Sequence, residues 1–260
     1  MSKKYISLAV VALLLSACGG SSSSKNDGKG SIDLAKYLPS ESMTKTFSYV
    51  ERDGDDVDNS HYDEIIDVKG DTIITTRDEN VVEKTVISDK NITIISFDDD
   101  EDDDYEDDYE DNFKEIDSFY RYVDLGDTIF TKEKRYTKNN DLGKVTINLN
   151  SSCQLKSKES KFEKNDHIYK GDLLKIECIS KGKVVFDIKQ TLLDAGVAQD
   201  LNGSHNIYDT SYIYFKRGIG EVAFIDDNCV PNKKLPMVVN DKADSKECIK
   251  KQYEYKFYLP

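Results

Sequence analysis

The densest chemistry in this sequence is a run of carboxylates. The stretch "DDDEDDDYEDDYED", residues 98–111, carries twelve acidic side chains in fourteen positions. Hard divalent cations take clustered oxygen ligands, so Asp98, Asp99, Asp100, Asp102, Asp103 and Asp104 are the candidate ligands of a weak calcium site. No EF-hand spacing shapes them, because glycine is missing from the sharp-turn position in every register. Mutual repulsion keeps such a run out of a core and predicts a solvated insertion. A basic protein is the other partner it suits. The three histidines, His61, His167 and His205, lie in no H-E-x-x-H motif, and no G-x-S-x-G surrounds a serine. Gly218, Gly220 and Ala223 match the G-x-G-x-x-A dinucleotide fingerprint, but "EVAFID" after the glycines alternates as a strand, where the fingerprint needs a helix. With fifty acidic residues and no tryptophan, no carboxylate pair stands out as a glycosidase acid and nucleophile. The expectation is a protein without catalytic residues and without a resident cofactor.

A single cysteine, Cys18, sits where the chain changes character. Lys3 and Lys4 precede an apolar stretch over 6–15. A membrane span needs about twenty such residues, so positive start and short apolar core read as a secretory signal peptide over 1–17. Its end, Leu15-Ser16-Ala17-Cys18, resembles the lipobox of bacterial lipoproteins at every position. That resemblance implies a diacylglyceryl group on the Cys18 thiol, cleavage before it, and a new amine that can take a third acyl chain. One acyl chain holds a protein only marginally, whereas two or three hold it durably. "GGSSSSKNDGKGS" follows, making 18–31 a flexible tether with a reach of about 20 Å. Gly19 stands where an Asp resembles an inner-membrane retention signal, so the expected location is the outer membrane, facing the periplasm or the cell surface.

Export changes the reading of the other cysteines. Cys153, Cys178, Cys229 and Cys248 are an even set in an oxidising compartment, which predicts two disulfides. Cys153–Cys178 and Cys229–Cys248 are the expected pairs, since each closes a local loop between neighbouring strands. Zinc is disfavoured by the absence of any C-x-x-C pair.

These residues need a scaffold, and the pattern of the chain supplies one. Net charge is −14. Without the signal peptide's two lysines it is −16, and without the acidic run −4, so the acidity is local. Such a chain repels phosphates and has no reason to bind nucleic acid. From about residue 43, short period-two runs alternate with turn signals such as "KGD", "SDKN", "LGD", "SKGK" and "KRGIG". "GKVTINLN" puts Val145, Ile147 and Leu149 on one face; "LLKIECIS" does so with Leu174, Ile176 and Cys178, and "QYEYKFYL" with Tyr253, Tyr255, Phe257 and Leu259. The prediction is a mostly-β, antiparallel meander forming a sandwich or incomplete barrel. One or two short helices are expected, at "SIDLAKYL" with Ser31 as N-cap and at "QTLLDAGVAQDL". "YIYFKRGIGEVAFID" is similar to the closing strands of several exported bacterial β-proteins; the similarity implies a meander and no activity.

The domain organisation expected is signal peptide 1–17, tether 18–31, and a single β-rich domain 32–260 with the insertion 98–111. The functional expectation is a membrane-anchored, non-enzymatic binding or structural module of the cell envelope. The alternative is a half-barrel carrier of an apolar ligand, kept open by "SYIYF", which is apolar on both faces. Strands apolar on both faces around an unfilled apolar cavity would favour the carrier.

Overall fold

Alternating side chains give a strand two different faces, and long antiparallel runs of such strands bury one face by curling. The computed structural model describes residues 30–53, 56–97, 114–140, 143–194, 202–230 and 250–260. Cys18, the tether up to residue 29 and the acidic run 98–111, with all six candidate calcium ligands, lie outside the described residues.

Twelve strands form one sheet: β2 (Met43–Asp53), β3 (Asp56–Lys69), β4 (Thr72–Arg77), β5 (Asn80–Ile87), β6 (Asn91–Phe97), β7 (Lys114–Tyr120), β9 (Thr128–Asn140), β10 (Gly143–Lys164), β11 (His167–Ile188), β12 (Gly203–Lys216), β13 (Gly220–Val230) and β14 (Lys250–Leu259). Two short strands, β1 (Ile32–Asp33) and β8 (Tyr122–Val123), pair with each other. The order across the sheet is β7-β6-β5-β4-β3-β2-β14-β13-β12-β11-β10-β9, and every described pairing is antiparallel. Sheet neighbours are therefore chain neighbours, except that β14 closes onto β2. The result is an up-and-down sheet nearly closed into a barrel, with a seam where β7 and β9 form the two edges of the sheet.

The 3-10 helix Leu34–Tyr37 crosses one end of this barrel. Its ties reach both sides of the opening: Leu34 N donates to the Arg121 carbonyl, and Gly218 N donates to the Lys36 carbonyl. Tyr37 donates its hydroxyl hydrogen to Asp172 at 2.7 Å. Asp33, rather than the expected Ser31, is the N-cap, accepting from Ala35 N at 3.2 Å. Ser31 instead donates to Asp124. Of the second expected helical segment, Gln190–Asp194 forms the helix α1, and residues 195–201 lie outside the described residues.

One more expectation needs correction. "SKGK" is no turn: it lies inside β11, which runs unbroken for 22 residues against β10. Gly182 is needed there for close approach, since a Cβ would come within 1.9 Å of the Asn148 carbonyl oxygen. Because β10 and β11 are so long, their hairpin overruns the barrel end. Register shifts after Leu155 and Glu159 bend it, as bulges do, and its tip folds onto the outside of β12–β14. The Phe162 ring lies tilted 3.9 Å from the Tyr214 ring, and His167 stacks 4.3 Å from Phe257. Tyr169 donates to the Tyr258 carbonyl at 2.7 Å. One hydrophobic core is therefore outside the barrel, under this flap, and contains Tyr255 and Phe257. The aromatic face of "QYEYKFYL" is thus buried on the outer side of the sheet, at Tyr255 and Phe257, and Glu254 and Lys256 point in.

Gly218 and Gly220 sit at φ +72° and +89° in the β12–β13 turn, which leads into a strand. The fingerprint-like spacing is thus a tight turn that left-handed glycines permit.

Candidate functional site

The inner surface of the barrel has two zones, each dictated by the inward phase of its strands. In the first, β9 to β12 contribute Phe130, Cys153, Leu174, Ile176, Ile213 and Phe215, and β6 and β7 add Ile92, Ile94 and Phe119. Together with Leu34, Tyr37 and Leu38 of the capping helix segment, they surround a cavity of about 200 Å³. Ile92, Leu155 and Leu174 are essentially fully buried, as is Val123 beside them. The cavity reaches both edges of the seam, with Asp117 and Phe119 on β7 and Ile129 and Phe130 on β9. Its walls turn polar away from the helix, where Ser151, Ser180 and Ser211 line it. Ser151 and Ser180, directly opposite each other, share a hydrogen bond of 2.8 Å.

The expected disulfide Cys153–Cys178 is formed between directly opposed residues and faces this cavity. Cys229 is buried and disulfide-bonded as well; Cys248, its expected partner, lies outside the described residues. "SYIYF" is apolar on both faces for a definite reason: Ile213 and Phe215 line the cavity, while Tyr212 and Tyr214 pack under the outer flap.

The second zone is charged. Lys45 on β2 is only 2 % exposed and stands opposite Glu64 on β3. Glu64 receives Arg77 at 2.9 Å and Lys256 at 3.4 Å, and Lys256 also reaches Glu221 at 3.3 Å. The Lys45 ammonium donates to the Glu221 carbonyl. Both lysines lie over the Phe47 ring, Lys45 at 4.7 Å and Lys256 at 4.0 Å. Burial pulls Lys45 down to about 8, against the carboxylates Glu221 and Glu64. Burial acts on Lys256 in the same sense, but Glu221 and Glu64 outweigh it and hold its pKa above the usual lysine range. Burial, with some help from Glu64 and Glu221, raises the neighbouring Glu83 against its hydrogen bond from Thr85.

Further round, three acids face inward on adjacent strands. Asp226 on β13 is 1 % exposed, stands opposite Glu254 on β14, and accepts from Asn228 at 2.5 Å. Burial and then Asp209 push Asp226 up to about 9; burial and then Glu51 push Glu254 to about 7. Across the seam, Lys132 on β9 pairs with Asp117 on β7 at 3.9 Å, and burial raises Asp117 to about 6.

Among the described residues, no group of three or more His, Cys, Asp or Glu side chains is arranged to hold a metal ion. His167 and His205 are ring-packing residues, against Phe257 and Phe186. The cavity and the charged wall are the features that motif reading misses. Their trace in the sequence is charge placed at alternate positions within strand patterns, as in Glu254 and Lys256 of β14, a phase that a hydrophobic count assigns to solvent.

No family model, no curated protein and no solved structure matches the chain.

Proposed function

We propose that this protein is a lipid-anchored binding module of the bacterial envelope that holds an apolar ligand in its barrel, without catalysis. The observation that carries this reading is the apolar cavity between the capping helix and the serine rim. Cavities of about 150 Å³ lined by Leu, Ile and Phe stay dry and take up benzene. One of about 200 Å³ suits an aromatic ring or a chain of roughly six carbons by the same comparison. Six buried methylenes at about 0.8 kcal/mol each correspond to a Kd on the order of 0.3 mM before ordering costs. The ligand is thus a fragment or the end of a longer chain, rather than a whole lipid.

Anchoring through Cys18 agrees with the outer surface. The outward residues of β10 and β11 include Lys144, Thr146, Asn148, Lys181 and Lys183, the reverse of the apolar band that a membrane-spanning barrel presents. No helix among the described residues is long and apolar enough to cross a membrane. A module held by acyl chains at the outer membrane, with its barrel in the aqueous phase, accommodates both facts.

The test pairs a ligand with a filled cavity. Toluene titrated into the purified 32–260 protein should shift methyl resonances of Ile92, Ile176 and Ile213 with saturation. Ile176→Phe should retain the fold and remove the saturable shift. Shifts absent in the parent, or persisting in that variant, would defeat the carrier reading.

A further inference from the structure

We propose that the natural ligand of the cavity ends in an amine: a short alkyl chain lying against the capping helix, with its ammonium at the serine rim, facing Asp117 and Asp209. The proposal deepens the cavity reading above and rests on it. The cavity is graded along its length. Leu34, Leu38 and Leu174 make the end near the helix apolar, whereas Ser151, Ser180 and Ser211 form the other end. An occupant with one polar terminus therefore has one orientation.

Strand register fixes what that terminus meets. Ser151 stands opposite Lys132, Ser180 opposite Asp209, and Ser211 opposite Asp226. Directly opposed side chains have Cβ atoms about 5 Å apart, so these groups ring the serines. Glu254 follows Asp226 on the next strand, and Asp117 itself lines the cavity. The ring thus carries four carboxyl groups and one ammonium, and that ammonium is ion-paired with Asp117. Lys134, opposite Leu149, stands one register step further from the cavity. Asp209 is 3 % exposed, so little water screens it and its effect on a bound head group is larger than at a surface. Asp226, pushed up by burial and then Asp209, is protonated at neutral pH and adds hydrogen-bonding capacity rather than charge. A carboxylate head is repelled by Asp209 and Asp117 and finds a single lysine already shared. An ammonium head is attracted, and the serine hydroxyls accept its remaining hydrogens. An alcohol falls between the two.

The experiment uses three six-carbon probes, hexylammonium, 1-hexanol and hexanoate, each titrated at pH 7.5 into the purified chain from residue 18 to 260 and followed by methyl resonances. Hexylammonium should bind at least tenfold more tightly than hexanol, and hexanoate at least tenfold more weakly. Asp209→Asn should lower hexylammonium affinity about tenfold and leave hexanol unchanged; Asp117→Asn supplies the same readout should the first variant fail to fold. Hexanoate binding as tightly as hexylammonium, or hexylammonium no tighter than hexanol, overturns the amine while leaving the cavity reading intact. No saturable binding by any of the three overturns both.

Discussion

Strands β9 to β12 line the barrel with Phe130, Cys153, Ile176 and Ile213, whereas β2, β3, β5 and β14 line it with Lys45, Glu64, Glu83 and Lys256. The apolar wall needs no partners, so it tolerates a void, and the void becomes a place for a ligand. The charged wall cannot leave space. Each buried charge must be met by another, and Glu64 does this for Arg77 and Lys256 together. One barrel thus separates storage from rigidity: the half that can hold something is the half whose side chains do not depend on one another.

The largest test of that contrast is to remove one charge from the wall. Lys256→Met leaves Glu221 and Glu64 short of a cation in a dry site. Loss of one partner of a buried pair costs about 3–5 kcal/mol, read as a drop in the urea midpoint. The double variant Lys256→Met, Glu221→Met should cost less than the single one, because no charge is left uncompensated. A single variant within about 1 kcal/mol of the parent would show that the wall is effectively solvated, and the contrast would collapse.

In the apolar wall the effects should be independent of one another. Leu155→Ala, at a fully buried position, should cost about 2–5 kcal/mol. Replacing Cys153 and Cys178 together by Ala opens a bridge of sequence separation 25, worth roughly 3 kcal/mol if unfolded-chain restriction dominates. Neither change should alter the effect of Lys256→Met by more than about 0.5 kcal/mol, as expected for sites without shared partners. Strong coupling would mean that the two walls form one cooperative unit.

The same contrast explains what was legible in the sequence. Strand positions were readable almost throughout, because period-two alternation and glycine turns act locally. Val145, Ile147, Leu174 and Ile176 were readable as sharing a buried face because their wall is apolar. On β14 the spacing picked out the shared aromatic face but not the side of the sheet on which it is buried. There the aromatic phase, Tyr255 and Phe257, is buried by a flap built from residues 156–170, about ninety positions earlier in the chain. No local pattern reports that contact. Gly182 misled for a related reason: glycine marks a turn in isolation, but here it admits the backbone of β10.

The last effect expected is a pH slope of unusual sign. Asp226 is held near 9 by burial and then Asp209, and Glu254 near 7 by burial and then Glu51. Both lie above their unfolded values, so the native state binds more protons than the unfolded chain over this range. Stability then falls as pH rises. The contribution is fully present below about pH 4, the unfolded carboxyl range, and is lost progressively as pH climbs through about 7 for Glu254 and about 9 for Asp226. Glu64 works the other way, since Lys256 and Arg77 overcome the effect of burial and hold it below the usual range; its contribution disappears only in acid. The urea midpoint should therefore be higher at pH 5.5 than at pH 8.5. Asp226→Asn keeps the shape and the hydrogen bonding capacity but cannot ionise, so it should raise the midpoint at pH 8.5 and flatten the slope. A midpoint that rises from pH 5.5 to 8.5 in the parent would mean that Asp226 and Glu254 ionise freely, and that the wall beside the cavity is wet.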